Sequence, residues 1–322
     1  MFLCREKIVT QFLLEAHKVQ KSYVSSIYRN NVHAIREVSF GLQNGERLGI
    51  VGESGSGKTT LCKLLVRLEK PTSGKIFYDN IDITDLPEKK LDFLRKNVQI
   101  IFQNSMNAMN PKHTIGAIIE EPMQIQTKLS ASDRYKKNQK LLQDVGLQQE
   151  IYERYPHELS GGQRQRVAIA RALSLEPKIL ICDEPVTSLD VSMKAQILNL
   201  LLDLQQNYNL SMIFVSHDLD VVTAMSTKIA VMHSGTICEI ISSYEIFSKA
   251  QHPYTKLLIA TLMEFKQTTI TNCLEKQKVK EYSTIKGCTF YNYCSIHQEQ
   301  CKMVKPELRE IAPDHWCACH LL

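Results

Sequence analysis

The chain of 322 residues contains no uninterrupted apolar run of about 18 residues, the length that a bilayer-spanning helix requires. Its first residues, Met1 to Leu14, lack the small-residue cleavage site of a secretory signal and carry Arg5, Glu6 and Lys7 where its apolar part would have to lie. The expectation is a cytoplasmic chain. A basic stripe is also missing: 39 Lys and Arg against 34 Asp and Glu leave a formal charge of +5, which does not single out nucleic acid as a partner. There is no internal repeat and no long low-complexity tract. At 43% hydrophobic and 23% charged residues the composition is that of an ordinary globular protein. The length predicts two domains, or one large domain with an appendage. Cysteine is the uneven residue, with five of ten between Cys288 and Cys319.

From Leu13 to about Glu264 short β-branched runs alternate with longer amphipathic stretches, the pattern of an α/β domain. Glu46 to Val51, Asn97 to Phe102, Lys178 to Cys182 and Ser211 to Val215 have the length and composition of buried strands. Helices are expected at Lys58 to about Leu68, Ser130 to Val145, Gly161 to Leu173 and Ser192 to Gln206. Ile229 to Met232 and Thr236 to Ile240, joined at Ser234-Gly235, read as a hairpin.

Between the first strand and first helix lies Gly52-Glu53-Ser54-Gly55-Ser56-Gly57-Lys58-Thr59, the G-x-x-x-x-G-K-[ST] phosphate loop in its required strand–loop–helix context. Glycines let backbone N–H groups curl around phosphate oxygens, and the helix N-terminus adds partial positive charge. Lys58 is expected on the β and γ phosphates and the Thr59 hydroxyl on magnesium. Ile179 to Glu184 is an apolar strand ending in two acids. Asp183 suits a metal-holding role and Glu184 the polarising of an attacking water, although a helix N-cap pair is the competing reading of the two acids alone.

Leu159-Ser160-Gly161-Gly162-Gln163 followed by Arg164 to Leu173 resembles the signature of ATP-binding cassette (ABC) ATPases. Gln103 after its strand, Asp183-Glu184, Ser188-Leu189-Asp190 and His217 after Phe214-Val215-Ser216 follow in that family's order. The resemblance covers about residues 13 to 263 and implies an α/β, ABC-type P-loop nucleotide-binding domain at 1–263, with a helical subdomain at about 104–175. It implies ATP and Mg2+ as ligands, with Gly52 to Lys58, Thr59 and Thr60 on the nucleotide and Tyr23 stacked on adenine, Tyr28 being the other candidate. Glu184, His217 and Gln103 become the catalytic set, and Thr59, Gln103 and Asp183 the magnesium ligands. Ser160, Gly161, Gly162 and Gln163 would receive the γ-phosphate of ATP held by an opposite subunit, and Asp190 would act across that dimer.

Further stretches, among them Arg154-Tyr155-Pro156-His157-Glu158-Leu159-Ser160 and His252-Pro253-Tyr254-Thr255, resemble the ATPase subunits of bacterial oligopeptide and dipeptide importers, particularly the second of the pair. Nickel importers share much of this pattern, and a soluble non-transport ABC ATPase is the other alternative. The partners so implied are two membrane permease subunits, a second ATPase subunit that is homologous or identical, and indirectly an extracytoplasmic solute-binding protein. No nucleic acid is expected. Placement would be peripheral, on the cytoplasmic face of the inner membrane, with Gln103 to about Glu121 meeting the membrane partner.

Residues 264–286 read as a linker without proline, and 287–322 as a small Cys-rich segment. That segment has too few apolar residues to hold itself together without a staple, metal or docking surface. Cys288, Cys294, Cys301 and Cys319 are separated by five, six and seventeen intervening residues. Such thiols can wrap an iron–sulfur cluster or zinc, and spacing does not choose. Resemblance to the importers' C-terminal cysteine motif implies a four-iron four-sulfur cluster, with Cys317 competing for the fourth place. Cys62 and Cys182 read as small core hydrophobes.

Overall fold

Runs of Val, Ile, Leu and Phe form the centre of the fold. The computed structural model describes residues 12–24, 31–103, 109–187, 189–267 and 286–322. Among them the strands are β1 (Phe12–Val24), β2 (Asn31–Gln43), β3 (Arg47–Val51), β4 (Ser73–Tyr78), β5 (Ile81–Asp82), β6 (Val98–Ile101), β7 (Ile179–Asp183), β8 (Ser211–Ser216), β9 (Lys228–His233), β10 (Thr236–Ser242), β11 (Arg309–Ala312) and β12 (His315–Cys317). The helices are α1 (Lys58–Leu65), α2 (Asp92–Asn97), α3 (Ile115–Gln126), α4 (Ala131–Asp144), α5 (Gly161–Leu173), α6 (Val191–Asn207), α7 (Leu219–Met225), α8 (Ile246–Lys249), α9 (Pro253–Gln267) and α10 (Glu299–Met303). No helix among the described residues is long and apolar enough to cross a membrane.

Within these residues the strands make an eight-stranded sheet, ordered β11-β12-β10-β9-β3-β8-β7-β6, and a four-stranded sheet, ordered β2-β1-β4-β5. Strands β6, β7, β8, β3 and β9 run parallel. A parallel sheet is covered on both faces, so its strands carry apolar residues without a polar alternate. Successive side chains then serve opposite cores. Leu180, Cys182, Met212 and Phe214 enter the core beneath the helices α5 and α6. Ile179, Ile181, Ile213 and Val215 enter the other, beneath α1 and the antiparallel sheet.

Helices α3, α4 and α5 pack on one another and fall within the helical subdomain expected from sequence. Ser130 caps α4, its side chain accepting from the Asp133 N–H. Helix α3 was not legible because Pro122 sits inside it and reads as a breaker. The β1–β2 pair escaped alternation for a related reason: its register shifts repeatedly around Ala16, Val19 and Lys21, and Lys18 takes a left-handed φ of 47°. Bulges of this kind break the period of two. The β9–β10 hairpin turns through Ser234 and Gly235, both at positive φ (45° and 80°), as a two-residue loop that follows strand twist requires.

The Cys-rich segment docks on the α/β body. β12 pairs antiparallel with β10, Glu239 opposite Cys317 and Ile240 opposite Trp316, and β11 pairs with β12. The Ala318 N–H donates to the Cys238 carbonyl at 2.8 Å. At the core of this joint Glu239, fully buried, accepts from His315 Nε2 at 2.7 Å and from the backbone N–H groups of Gln251 and His252. The expected linker falls almost wholly on residues 268–285, outside the described residues, while its start continues α9.

Candidate functional site

The phosphate loop joins the end of β3 to α1, and its curvature is fixed by positions where only glycine fits. Gly57 has φ 103°, and a Cβ there would stand 2.4 Å from the Ala34 carbonyl oxygen. At Gly52 a Cβ would meet the Met232 carbonyl oxygen at 2.0 Å. Ser54, Gly55 and Thr59 are exposed, so the loop opens on the surface. Lys58 is buried, its ammonium donating to the carbonyls of Gly52 and Glu53 at 2.8 Å each. Burial pushes its pKa down, and Glu184 and Asp183 oppose that shift.

Asp183 ends β7 and Glu184 follows at a left-handed φ of 49°. No helix starts there, which removes the N-cap reading; the Glu184 N–H instead donates to the Val215 carbonyl on β8 at 2.9 Å. The turn aims the two acids differently. Asp183 accepts the Thr59 hydroxyl at 3.2 Å. Burial raises its carboxyl pKa, and the Thr59 hydroxyl pulls it down. These hard oxygens at a strand's carboxyl end suit a magnesium ion. Glu184 gathers Gln103 Nε2 at 3.1 Å, the Thr187 hydroxyl at 3.1 Å, His217 Nδ1 at 3.5 Å and Lys58 Nζ at 4.0 Å. Loop, two acids, Gln103 and His217 therefore form one constellation. Tyr23 stands beside Thr60, its hydroxyl donating to Glu69 and its ring 5.0 Å beneath the Lys21 ammonium. Tyr28 lies outside the described residues.

The signature residues form a separate constellation. Ser160 caps α5, accepting from the Gln163 N–H at 3.3 Å while the Gln163 side chain accepts the Ser160 N–H at 3.0 Å. This reciprocal box leaves the helix start exposed at Ser160. Gly162 is buried against Met193 of α6, whose sulfur would lie 2.7 Å from an added Cβ. Asp190 caps α6 through the Met193 N–H at 2.9 Å, and these backbone N–H bonds lower its pKa. Ser188 lies outside the described residues, as do 104–108 of the segment expected to meet a membrane partner.

Cys288, Cys294, Cys301 and Cys319 line one small pocket with Phe290 and His297. Cys317, the last residue of β12, is instead fully buried beside Glu239 and Cys238. Burial pushes the Cys288 thiol up to about 11, with its three neighbours adding to the shift. Among the described residues no group of three or more His, Cys, Asp or Glu is arranged to hold a metal ion. Cys62 and Cys182 are fully buried and free, as read from sequence.

Sequence reasoning assigned no role to Thr187, Glu239 or Tyr254. Tyr254 stood inside a quoted motif, but the partners of all three are contributed by folding. The Tyr254 hydroxyl accepts the Glu53 N–H at 3.2 Å.

A β-strand, phosphate loop and helix facing an Asp-Glu strand end define a P-loop nucleotide-hydrolysing cassette. The ABC transporter family profile matches residues 35–187, and the oligopeptide/dipeptide transporter C-terminal region matches 238–301. The chain is 41% identical over 319 residues to the oligopeptide transport ATP-binding protein AppF of Bacillus subtilis, covering 96% of this chain and 97% of that protein. It is 41% identical over 295 residues to the dipeptide transport ATP-binding protein DppF of Haemophilus influenzae, covering 89% of each. The dimeric cassette MJ0796 bound to ADP and Pi superposes with a TM-score of 0.66 at 30% identity, covering 71% of this chain and 98% of that one. The chain belongs to the ABC ATPase family, in the branch with the oligopeptide/dipeptide transporter C-terminal region.

Proposed function

We propose that the chain is the ATP-hydrolysing subunit of an importer of oligopeptides or dipeptides. The observation that carries this is likeness to peptide-transport ATP-binding proteins along nearly the whole chain, tail included. Gly52 to Thr60 cradle the phosphates, Thr59 and Asp183 hold magnesium with Gln103, and Tyr23 stacks on adenine. Glu184 takes a proton from the attacking water. His217 and Gln103 orient the water and γ-phosphate through the contacts both make with that carboxylate.

Ser160 to Gln163 and Asp190 form a constellation separate from this chain's own loop, and they are assigned to ATP on an opposed, homologous or identical cassette. The exposed start of α5 offers backbone N–H groups to a γ-phosphate there. Two permease subunits, met by Gln103 to about Glu121, carry the solute across the membrane, and the chain sits peripherally on its cytoplasmic face. Residues 1–263 act as the ATPase domain and 287–322 as its cysteine-bearing appendage. A strain lacking the gene and auxotrophic for an amino acid tests this: growth on peptides containing it should return with the wild-type chain and not with Glu184→Gln. Rescue by both would refute the reading.

Cys288, Cys294, Cys301 and Cys319 are the residues we assign to a four-iron four-sulfur cluster. Four thiols lining one pocket are donors of the type such a group takes, and when bound it would cross-link the tail. Anaerobic purification should give about four irons per chain, lost in Cys301→Ser. Zinc, or no metal, would overturn that assignment and leave the ATPase untouched.

A further inference from the structure

Behind the phosphate loop, on the side away from its open mouth, three supports converge. The Met232 carbonyl packs against Gly52. The Gly235 N–H donates to the Ser56 carbonyl at 2.9 Å. The Tyr254 hydroxyl accepts the Glu53 N–H at 3.2 Å, and Tyr254 is wholly buried. Two of these come from the β9–β10 hairpin and one from the first turn of α9, so none belongs to the loop's own strand or helix.

All of them rest on the C-terminal segment. The Phe290 ring lies 5.4 Å from both His233 and Tyr254, edge-on to the former, and His233 and Tyr254 are themselves 4.6 Å apart. Thr289 bonds His233 Nδ1 at 3.1 Å and the Thr236 hydroxyl at 3.2 Å, gripping the hairpin on either side of its turn. Phe290 also walls the pocket of Cys288, Cys294, Cys301 and Cys319. One aromatic residue thus separates the thiol pocket from the residues bracing the phosphate loop. Rings in such offset and edge contacts transmit displacement because close-packed interiors have no slack.

We propose that the C-terminal segment sets the phosphate loop for nucleotide through Phe290 and Thr289, with Tyr254 as the positioning residue whose hydroxyl holds the Glu53 N–H. This rests on the reading of the loop as the ATP site. Tyr254 touches no phosphate; it fixes the limb from which Ser54 to Thr59 curl, and its effect falls on nucleotide affinity.

The test is equilibrium titration of the purified full-length chain with a fluorescent ATP analogue, alongside steady-state hydrolysis and thermal melting. Tyr254→Phe keeps the ring stack and removes only the hydroxyl. The expected result is a Kd and KM for ATP raised about two- to tenfold, the value of one hydrogen bond, with kcat at saturating ATP unchanged and the melting temperature lowered by no more than about 4 °C. Phe290→Leu should shift affinity in the same direction. An unchanged Kd in folded Tyr254→Phe overturns the proposal. If that variant does not fold, Thr289→Val decides in its place: weaker ATP binding supports the proposal and wild-type binding overturns it. A wild-type chain that does not bind the analogue overturns the ATP-site reading, and this proposal with it.

Discussion

The phosphate-loop half and the C-terminal half of this chain are built on opposite logics. The loop takes its ligand groups from one contiguous stretch, residues 52–60, and its acids from the end of a single strand. Backbone N–H groups, a helix start and a strand end supply these groups, and the motif for each is written in consecutive residues. The tail is held by pairings between residues far apart in sequence: His315 with Glu239, Cys317 opposite Glu239, and Thr289 with His233. A site made of local geometry announces itself in sequence, whereas a docked appendage is defined by the surface that receives it.

The contrast can be broken from the loop side first. Lys58→Ala removes the ammonium that caps the loop carbonyls and would bond the phosphates. Charged hydrogen bonds of this kind are worth about 1.5–3 kcal/mol, so ATP affinity should fall about 10- to 150-fold by calorimetric titration, with tail docking unaffected. From the tail side, His315→Leu leaves the buried Glu239 carboxylate without its side-chain partner. A loss on the order of 3 kcal/mol of stability is expected in urea unfolding, accompanied by protease sensitivity confined to the tail. Global unfolding without selective cleavage would show that the tail is no appendage.

The joint between the halves should also respond to pH. Burial holds His233 and His252 down to about 4, against an ordinary value of 6.5. Between those values the unfolded chain binds more protons at these two positions than the folded one, so stability falls as pH falls from 6.5 toward 4 and is level above that window. Each imidazole contributes a slope of up to about 1.4 kcal/mol per pH unit. Unfolding midpoints measured across this range should flatten in His233→Asn by that histidine's share. The smallest effect belongs to Ser160→Ala, which removes the α5 cap at a cost of about 1 kcal/mol. Its value is diagnostic: melting temperature should drop slightly while turnover drops severely, because the same exposed helix start is proposed to serve the opposite subunit's ATP.

What sequence made legible follows the same division. The strand end at Val51, the boundaries of α5 and the β9–β10 hairpin were readable, and the strand end at Asp183 to within one residue, because continuous apolar runs, a Ser-x-x-Gln cap and a Ser-Gly turn are local signals. Helix α3 and the β1–β2 pair were not. Pro122 and the bulge at Lys18 are tolerated only because tertiary neighbours hold them. Both acids of the site were found, but not the left-handed turn at Glu184 that sends them to different partners. That Cys319 and not Cys317 lines the pocket with Cys288, Cys294 and Cys301 was not readable from spacing, because it depends on β12 ending at Cys317, opposite Glu239 of β10, so that the chain leaves the strand before Cys319.

Glu184 is proposed to activate water for hydrolysis of ATP clamped between two cassettes. Sedimentation and phosphate release on Glu184→Gln with MgATP test it most directly. ATP-dependent dimers are expected, with phosphate release reduced by about 10²- to 10⁴-fold. Turnover equal to that of the wild type would contradict it.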